Sequence, residues 1–278
     1  MRVAIVDAYS RAGRVSLANA GCTPAGQLYK RVATAHAPEH EYTVLLADAA
    51  ARSLPSGVAA GDFDAVLWTG SELTIYQDDD EVRAQIDLAR TLMRAGVPNF
   101  GSCWAAQLAA VSFGGSCGPC PKGREFGIAR DITLNDEGVE HPMYRGKPRV
   151  FCSYASHGDE ITQLPPNARI LASNAWSKVQ ALEVRVGGAT FCATQYHPEY
   201  DLCEVAQLGA VRGPGLVEQG LYKSQADADA YFAQLRSLHK SSDPSLAAEL
   251  GVGDDLLDAE VRQREIANWL GGLTLKAS

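Results

Sequence analysis

The chain has 278 residues, of which 46% are hydrophobic and 21% are charged. This length suits one large domain or two small ones, and the composition is that of a globular protein that buries a substantial core. The formal net charge of -8 argues against nucleic acid or an anionic membrane as a partner.

Several features of the sequence predict a cytoplasmic location. The apolar run from Met1 to Val6 is too short for a signal peptide, because Asp7 interrupts it. No run approaches the ~18 to 20 apolar residues of a membrane span, so we expect no membrane association. The seven cysteines are an odd number without regular spacing, which suits reduced thiols.

The first part of the chain alternates between predicted strands and helices. An apolar run over 2–6 predicts a strand buried on both faces, and we expect the mixed stretch 7–20 to be a loop. Then follow a helix over 25–37, a strand over 41–46, a loop at Pro55 and Gly57, a strand over 64–69, and a helix from Asp78 to Ala95. This alternation predicts an α/β fold with a largely parallel sheet, which binds ligands at the carboxyl ends of its strands.

The sequence changes character at Gly114. The stretch 114–123 reads as a turn-rich loop, and short β-like runs follow over 127–134, 149–154, 168–173, 180–186 and 190–195. They predict β-hairpins that extend the sheet, with a turn at Gly187 and Gly188. After Asp201, apolar spacing predicts helices over 202–210, 225–239 and 258–270, punctuated at Gly213 and Pro214, at 241–244 and at 251–253. We therefore expect one domain over 1–205 and a helical extension over 206–278 that packs on it.

A candidate nucleophile, Cys103, stands between a predicted strand and a predicted helix. Apolar residues from Val97 lead into Gly101, and good helix formers follow from Trp104. Strand, sharp turn and helix is the geometry of a nucleophile elbow, which lifts the side chain clear of the sheet. The helix N-terminus also favours a thiolate. For this cysteine alone, a buried structural thiol is the alternative.

A candidate base and a candidate acid that could act with this cysteine stand at the end of the last predicted strand. Residues two apart on an extended segment point the same way, so His197 and Glu199 can lie on one face. Glu199 could orient the imidazole while His197 accepts the thiol proton. Gly70 and Cys103 both follow predicted strands, so these residues can meet at one edge of the sheet.

Four motifs in this order resemble the class I, or triad, glutamine amidotransferases. They are Trp68-Thr-Gly-Ser71, Gly101-Ser-Cys-Trp-Ala-Ala-Gln107, Ser156-His-Gly-Asp-Glu160 and Tyr196-His-Pro-Glu199. The likeness covers roughly residues 1 to 205 and is greatest to stand-alone members that resemble the amidotransferase domain of GMP synthase. It implies a flavodoxin-like sheet flanked by helices. Ala105 departs from the pattern by replacing a second glycine, and we expect a slightly tighter elbow that still works.

The resemblance implies how the site would work. A triad of Cys103, His197 and Glu199 would attack the side-chain amide of glutamine, pass through a γ-glutamyl thioester, and release glutamate and ammonia. Backbone amides of Gly70 and Trp104 would stabilise the oxyanion, and such donors are typically worth about 3 to 4 kcal/mol. The residues implied to bind substrate are Gln107, Ser71, Ser156 and His157. His157 is the less favoured base, and Asp159 could be a pocket wall or a loop brace.

The sequence predicts no cofactor and no metal. It contains neither a phosphate-binding loop nor a dinucleotide-binding fingerprint, so nothing in it looks able to activate an acceptor with ATP. Ammonia would therefore pass to a separate partner synthetase. Cys117 and Cys120 have the spacing of a redox or zinc pair, but they lie in a Gly/Pro loop after a helix, which does not favour either role.

Two further functions stay open at this point. The same thioester chemistry could serve other γ-glutamyl compounds, which would make the protein a stand-alone peptidase or hydrolase. Alternatively, the fold could be a binding or regulatory subunit without catalysis, to which Ala105 is the only hint. The ammonia acceptor, any partner and the oligomeric state do not follow from the sequence.

Overall fold

The computed structural model describes residues 1–47, 54 and 58–274. The strands within them are β1 Arg2–Asp7, β2 Glu41–Leu46, β3 Ala65–Trp68, β4 Asn99–Ser102, β5 Ser116–Pro119, β6 Glu125–Leu134, β7 Val150–His157, β8 Asp159–Gln163, β9 Ala168–Ser173, β10 Ala181–Val186 and β11 Ala189–Thr194. The α-helices are α1 Arg11–Asn19, α2 Ala25–His36, α3 Asp80–Arg94, α4 Trp104–Ser112, α5 Asp136–Glu140, α6 Leu202–Glu218, α7 Gln225–Ser241, α8 Pro244–Leu250, α9 Asp254–Leu257, α10 Ala259–Arg262 and α11 Arg264–Thr274. The predicted loop at Pro55 and Gly57 lies outside the described residues.

A nine-stranded sheet in the order β2-β1-β3-β4-β11-β10-β9-β6-β7 forms the centre of the molecule. The five strands from β2 to β11 run parallel to one another. The remaining four continue the sheet antiparallel, beginning with the hairpin of β11 and β10. This arrangement confirms the predicted α/β fold, in which β-hairpins extend a parallel sheet.

Helices cover both faces of the parallel strands. Successive residues of a strand point to opposite faces. Accordingly, Ile5 packs in one hydrophobic cluster with Tyr29 of α2 and Leu270 of α11. Val6 packs in another with Leu108 of α4. Because β1 and β3 are buried on both faces, they read in the sequence as nearly continuous apolar runs.

One predicted loop is a helix instead. Residues Arg11–Asn19 form α1, and the Oγ atom of Ser10 caps it by accepting a 2.9 Å hydrogen bond from the N–H of Gly13. Leu17 is the buried residue of this helix, so α1 has few of the apolar residues from which helices are predicted. The prediction of a loop over 7–20 was therefore wrong beyond Ser10.

Two other boundaries differ from the prediction because distant contacts decide them. The stretch 114–123 contains β5, which pairs with β8, a strand absent from the prediction. Helix α6 continues through Gly213 and Pro214 to Glu218, because its buried face packs on α7 through residues such as Leu216. Tertiary packing of this kind overrides local helix propensity.

Helix α6 also runs across the predicted boundary at 205/206, and the division of the chain there stays a prediction. Among the helices that the structure describes, none is both long and apolar enough to cross a bilayer.

Candidate active site

Cys103 occupies a strained turn between β4 and α4. Its backbone has φ 54° and ψ −95°, an uncommon conformation for a residue with a side chain. The N–H of Cys103 donates a 2.7 Å hydrogen bond to the carbonyl oxygen of Thr194, which holds the turn against β11. A Cβ atom at Gly101 would lie 2.4 Å from the carbonyl oxygen of Trp68 and 2.5 Å from the Cβ of Ala105. Ala105 therefore fits because residue 101 is glycine.

His197 and Glu199 form a buried pair beside this turn. The Nδ1 atom of His197 lies 2.7 Å from Oε1 of Glu199. The hydroxyl of Ser102 donates to the same carboxylate oxygen over 2.7 Å, and the hydroxyl of Tyr29 donates to Ser102 over 2.7 Å. Because Nδ1 faces the carboxylate, it carries the proton, and Nε2 is left for a second partner.

The other edge of the His197 ring faces the elbow. A Cβ atom at Gly70 would lie 2.9 Å from Cε1 and 3.7 Å from Nε2 of His197, and 3.8 Å from the Cβ of Cys103. Burial alone would lower the pKa of His197, but the charge of Glu199 and the charge and hydrogen bond of Cys103 raise that pKa to about 9. The ring of Tyr200 stacks on the imidazole at 4.0 Å and fixes its plane.

The two predicted oxyanion donors both adjoin Cys103. Trp104 is the first residue of α4, so its backbone N–H has no acceptor within the helix. The indole of Trp104 is buried and donates over 2.8 Å to Gln85, which anchors this end of the helix. Gly70 follows β3 and approaches the Cys103 side chain from the neighbouring strand. Their role as donors stays a prediction.

A cavity of about 480 Å³ opens over the nucleophile. Besides Cys103, its walls include all four predicted substrate-binding residues, namely Ser71, Gln107, Ser156 and His157. The carbonyl oxygen of Ser156 lies 3.9 Å from Sγ of Cys103. The hydroxyl of Ser71 donates to the carbonyl of Ala8 over 2.8 Å and so braces the loop after β3. The structure therefore gathers these predicted residues at one site, where their roles stay predictions.

His157 has both ring nitrogens occupied. Nε2 lies 2.9 Å from Oε2 of Glu125, and Nδ1 lies 3.0 Å from the backbone oxygen of Asp159. Asn174 also donates to Glu125 over 2.7 Å, so the ring belongs to a buried polar network. With neither nitrogen facing the thiol, His157 is a poor rival to His197 as base. The Asp159 carboxylate accepts a 2.9 Å hydrogen bond from Tyr76 and also lines the cavity, so both roles expected for it, pocket wall and loop brace, stay open.

The far wall of the cavity was not predicted from the sequence. Helix α6 contributes Leu208, Val211, Arg212, Gly215 and Leu216, its C-terminal cap contributes Gln219, and α1 contributes Gly13, Ser16 and Leu17. The spacing of the α6 residues is that of one helix face, which is the signal that could have grouped them. Arg124, which precedes β6, lines the same cavity. Nothing local in the sequence indicates that these segments lie over Cys103.

One buried cluster outside the site has metal-ligand atoms. Atoms of His141, Glu183 and Cys192 lie within 4.8 Å of one another. Burial would raise the pKa of Glu183, but hydrogen bonds from His141 and from two arginines hold that pKa well below its ordinary value. The carboxylate is thus already neutralised by protein donors. Burial also raises the pKa of Cys117 to about 12, which does not favour a reactive dithiol with Cys120.

The structure thus places the cysteine elbow beside a buried His–Glu pair, where the sheet is parallel. The four sequence motifs imply this arrangement. Residues 39–206, more than half of the chain, match the family described as glutamine amidotransferase class-I. The chain belongs to this family.

Three similar proteins show how far the likeness extends. A γ-glutamyl-L-1-hydroxyisopropylamide hydrolase from a Pseudomonas species is 31% identical over 284 residues, which covers 99% of this chain and 94% of the relative. A glutamine-hydrolysing GMP synthase subunit from Ignicoccus hospitalis is 32% identical over 148 residues, 53% of this chain and 73% of the relative. A solved glutamine amido transferase from Methylobacillus flagellatus superposes with a TM-score of 0.66 over 98% of this chain and 94% of that chain. At 16% identity this structure supports the fold alone.

These comparisons confirm the prediction of an enzyme with hydrolase activity. They also confirm the resemblance to GMP synthase amidotransferase subunits. They leave the substrate and any partner open.

Proposed function

We propose that this protein hydrolyses γ-glutamyl amides, with Cys103 as nucleophile. One observation carries the proposal: the similarity to the Pseudomonas hydrolase covers 99% of the chain, helices after residue 206 included, whereas the similarity to the GMP synthase subunit covers 53%. Helix α6 lies largely beyond residue 206, where the family match ends, and it forms a wall of the cavity over Cys103. The shared region thus includes residues that a substrate would contact.

The cavity volume agrees with a substrate larger than glutamine. About 480 Å³ falls within the ~300 to 1,000 Å³ range of pockets for drug-sized ligands, more than a free amino acid needs. The apolar side chains of Leu17, Leu208 and Val211 line one part of it. An alkyl substituent on the amide nitrogen would bury apolar surface against these side chains.

The geometry supports a thioester mechanism. His197 takes the proton of Cys103, and the thiolate attacks the γ-carbonyl carbon of the substrate. The N–H groups of Gly70 and Trp104 stabilise the oxyanion of the tetrahedral intermediate. The C–N bond then breaks as His197 returns the proton to the departing amine. Water, deprotonated by His197, attacks the γ-glutamyl thioester, which releases glutamate and restores the thiol.

Glu199 serves this mechanism by holding His197 in one tautomer. Its Oε1 atom accepts from Nδ1 of His197, and the Ser102 hydroxyl fixes the carboxylate from another side. Nε2 of the ring can then exchange a proton with the sulfur and with the leaving nitrogen.

A second candidate function is the hydrolysis of glutamine for a partner synthetase. The family match over residues 39–206 and the likeness to the Ignicoccus GMP synthase subunit favour it. In that case glutamine would be the best substrate, and a synthetase would raise the rate.

The test compares glutamate release from glutamine and from N-alkylated glutamines such as γ-glutamylethylamide. We expect kcat/KM to be at least about 10-fold higher for the alkylamide, as the burial of two carbon atoms against an apolar wall permits. Cys103→Ala should abolish both reactions, while Cys203→Ala, which changes a thiol outside the cavity lining, should leave them unchanged. A preference for glutamine, with no turnover of alkylamides, would reject the proposal in favour of the second candidate.

A further inference from the structure

Two arginines in the cavity lack acidic partners. Arg124 and Arg212 are half-buried, and within the described part of the chain neither forms an ion pair. Their hydrogen bonds go to neutral groups: Nε of Arg124 donates to Gln219 over 3.1 Å, and Nη1 of Arg212 donates to the Ser156 hydroxyl over 2.8 Å. In contrast, Arg149 pairs with a carboxylate at the surface. Two cationic side chains that form no ion pair with a described carboxylate therefore line one cavity of an acidic protein.

Both guanidinium groups adjoin the segment that borders the nucleophile. Arg212 bonds to Ser156, and the carbonyl oxygen of Ser156 contacts the sulfur of Cys103. Nη2 of Arg124 lies 3.2 Å from the position of a Cβ atom at Gly158. Burial and the nearby charge of Arg212 lower the pKa of Arg124, although Cys103 and Asp159 act in the opposite direction. Two like charges that share a partly desolvated site are costly unless an anion binds between them.

We propose that Arg124 and Arg212 form a carboxylate site that holds the α-carboxylate of the γ-glutamyl group. The inference rests on the proposed function. A guanidinium group presents paired N–H donors whose spacing matches the two oxygens of a carboxylate. Asp159 and Glu72, which line the same cavity, offer acceptors for the neighbouring α-ammonium group.

The chemistry of the cavity favours the α-carboxylate over a carboxylate on the leaving amine. A γ-glutamyl alkylamide carries one carboxylate, and these two arginines are the guanidinium side chains of the lining. The wall formed by Leu17, Leu208 and Val211 offers no charged donor, so it suits the alkyl part of the amine. Helix α6 would therefore contribute to both ends of the substrate.

The experiment combines arginine variants with truncated substrates. Arg212→Gln and Arg124→Gln are assayed on γ-glutamylethylamide and on 4-aminobutyrylethylamide, which lacks the α-carboxylate. We expect each variant to lower kcat/KM for the first substrate about 10- to 100-fold, mainly through KM, as for loss of a charged hydrogen bond. For the second substrate the change should stay within about 3-fold. Arg212→Lys should recover part of the loss, and Arg149→Gln should behave as wild type.

Equal losses on both substrates would overturn the inference, because the arginines would then act on the thiol or on the fold. A loss confined to γ-glutamylglycine, whose leaving amine carries a carboxylate, would also overturn it. A second measurement does not need turnover: glutamate, but not 4-aminobutyrate, should protect Cys103 from alkylation by iodoacetamide, and Arg212→Gln should lose this protection. If no γ-glutamyl amide is hydrolysed yet protection follows this pattern, the proposed function fails and the carboxylate site stands.

Discussion

The hydroxyl of Tyr196 donates a 2.6 Å hydrogen bond to the buried carboxylate of Glu265 and so ties the residue before His197 to helix α11. The second oxygen of Glu265 accepts from Nζ of Lys147 over 3.0 Å, and both side chains are fully buried. The hydroxyl of Tyr144 lies 2.8 Å from that of Tyr196 and extends the network. The C-terminal helix is therefore coupled to the strand end that carries the candidate base.

Removal of one charge from this network should lower the free energy of unfolding more than removal of both charges. Lys147→Met leaves the Glu265 carboxylate buried without its cation, and we expect a loss of about 3 to 5 kcal/mol in the free energy of unfolding. The double variant Lys147→Met/Glu265→Met replaces the pair with apolar groups and should recover at least half of that loss. Urea denaturation measures both values. Equal stability of the single and the double variant would show that the pair is not electrostatically coupled.

The elements with strong periodic signals were predicted closely. The helix expected over 25–37 is Ala25–His36, and the strand expected over 41–46 is Glu41–Leu46. The errors fall where partners distant in sequence decide the structure. Strand β5 exists through its pairing with β8, in which Ser116 faces Gln163, and α6 passes Pro214 because α7 packs on it. No local pattern encodes such contacts.

The candidate site divides in the same way. Cys103 could be predicted because a strand-to-helix turn positions it locally. His197 and Glu199 could be predicted because they follow the last strand closely, although the structure places Glu199 in a turn and not on an extended segment. Arg124 and Arg212 could not, since a single arginine near a strand or on a helix usually indicates a solvated face. Helix α6 comes to lie over the elbow only through the tertiary fold.

Gly70→Ala should disturb the site without unfolding the chain. A methyl group there would lie 2.9 Å from Cε1 of His197, closer than ordinary contact allows, so the ring must move away from Cys103. We expect kcat to fall at least about 100-fold, the range for loss of general acid–base catalysis, with little change in thermal stability. Gly188→Ala is the matched control, because its Cβ would meet nothing within 4 Å. Unchanged kcat in Gly70→Ala would contradict the close approach of these residues.

Glu199→Gln should change how stability depends on pH. In the folded protein the pKa of His197 is raised from 6.5 to about 9 by Glu199 and Cys103, against the effect of burial. Because the folded protein binds the proton of His197 more tightly than the unfolded chain does, protonation of His197 stabilises the fold. This contribution is complete below pH 6.5 and is lost as the pH rises through about 9. Glu199→Gln lowers that pKa, so the variant should lose more stability at pH 6 than at pH 10.

The measurement is urea denaturation of both proteins between pH 6 and pH 10. Glu137→Gln, which changes an exposed carboxylate, is the control and should shift stability equally at all pH values. A constant difference between wild type and Glu199→Gln across this range would mean that His197 does not hold its proton through Glu199.

Gly209→Ala tests whether the packing of α6 against α7 determines the position of the cavity wall. A Cβ atom at Gly209 would lie 2.3 Å from the ring of Phe232, so the two helices must separate. We expect a loss of about 1 to 3 kcal/mol in the free energy of unfolding, as for overpacked cores. Gly271→Ala in α11 has open space around its Cβ and should be neutral or stabilise by up to about 1 kcal/mol.

The same variant reports on substrate binding. Because α6 also carries Arg212, its displacement by Gly209→Ala should raise KM for γ-glutamylethylamide more than it lowers kcat. Gly271→Ala should change neither parameter. If Gly209→Ala loses stability while KM stays that of wild type, the wall formed by α6 does not contact the substrate, and the role assigned to Arg212 would fail with it.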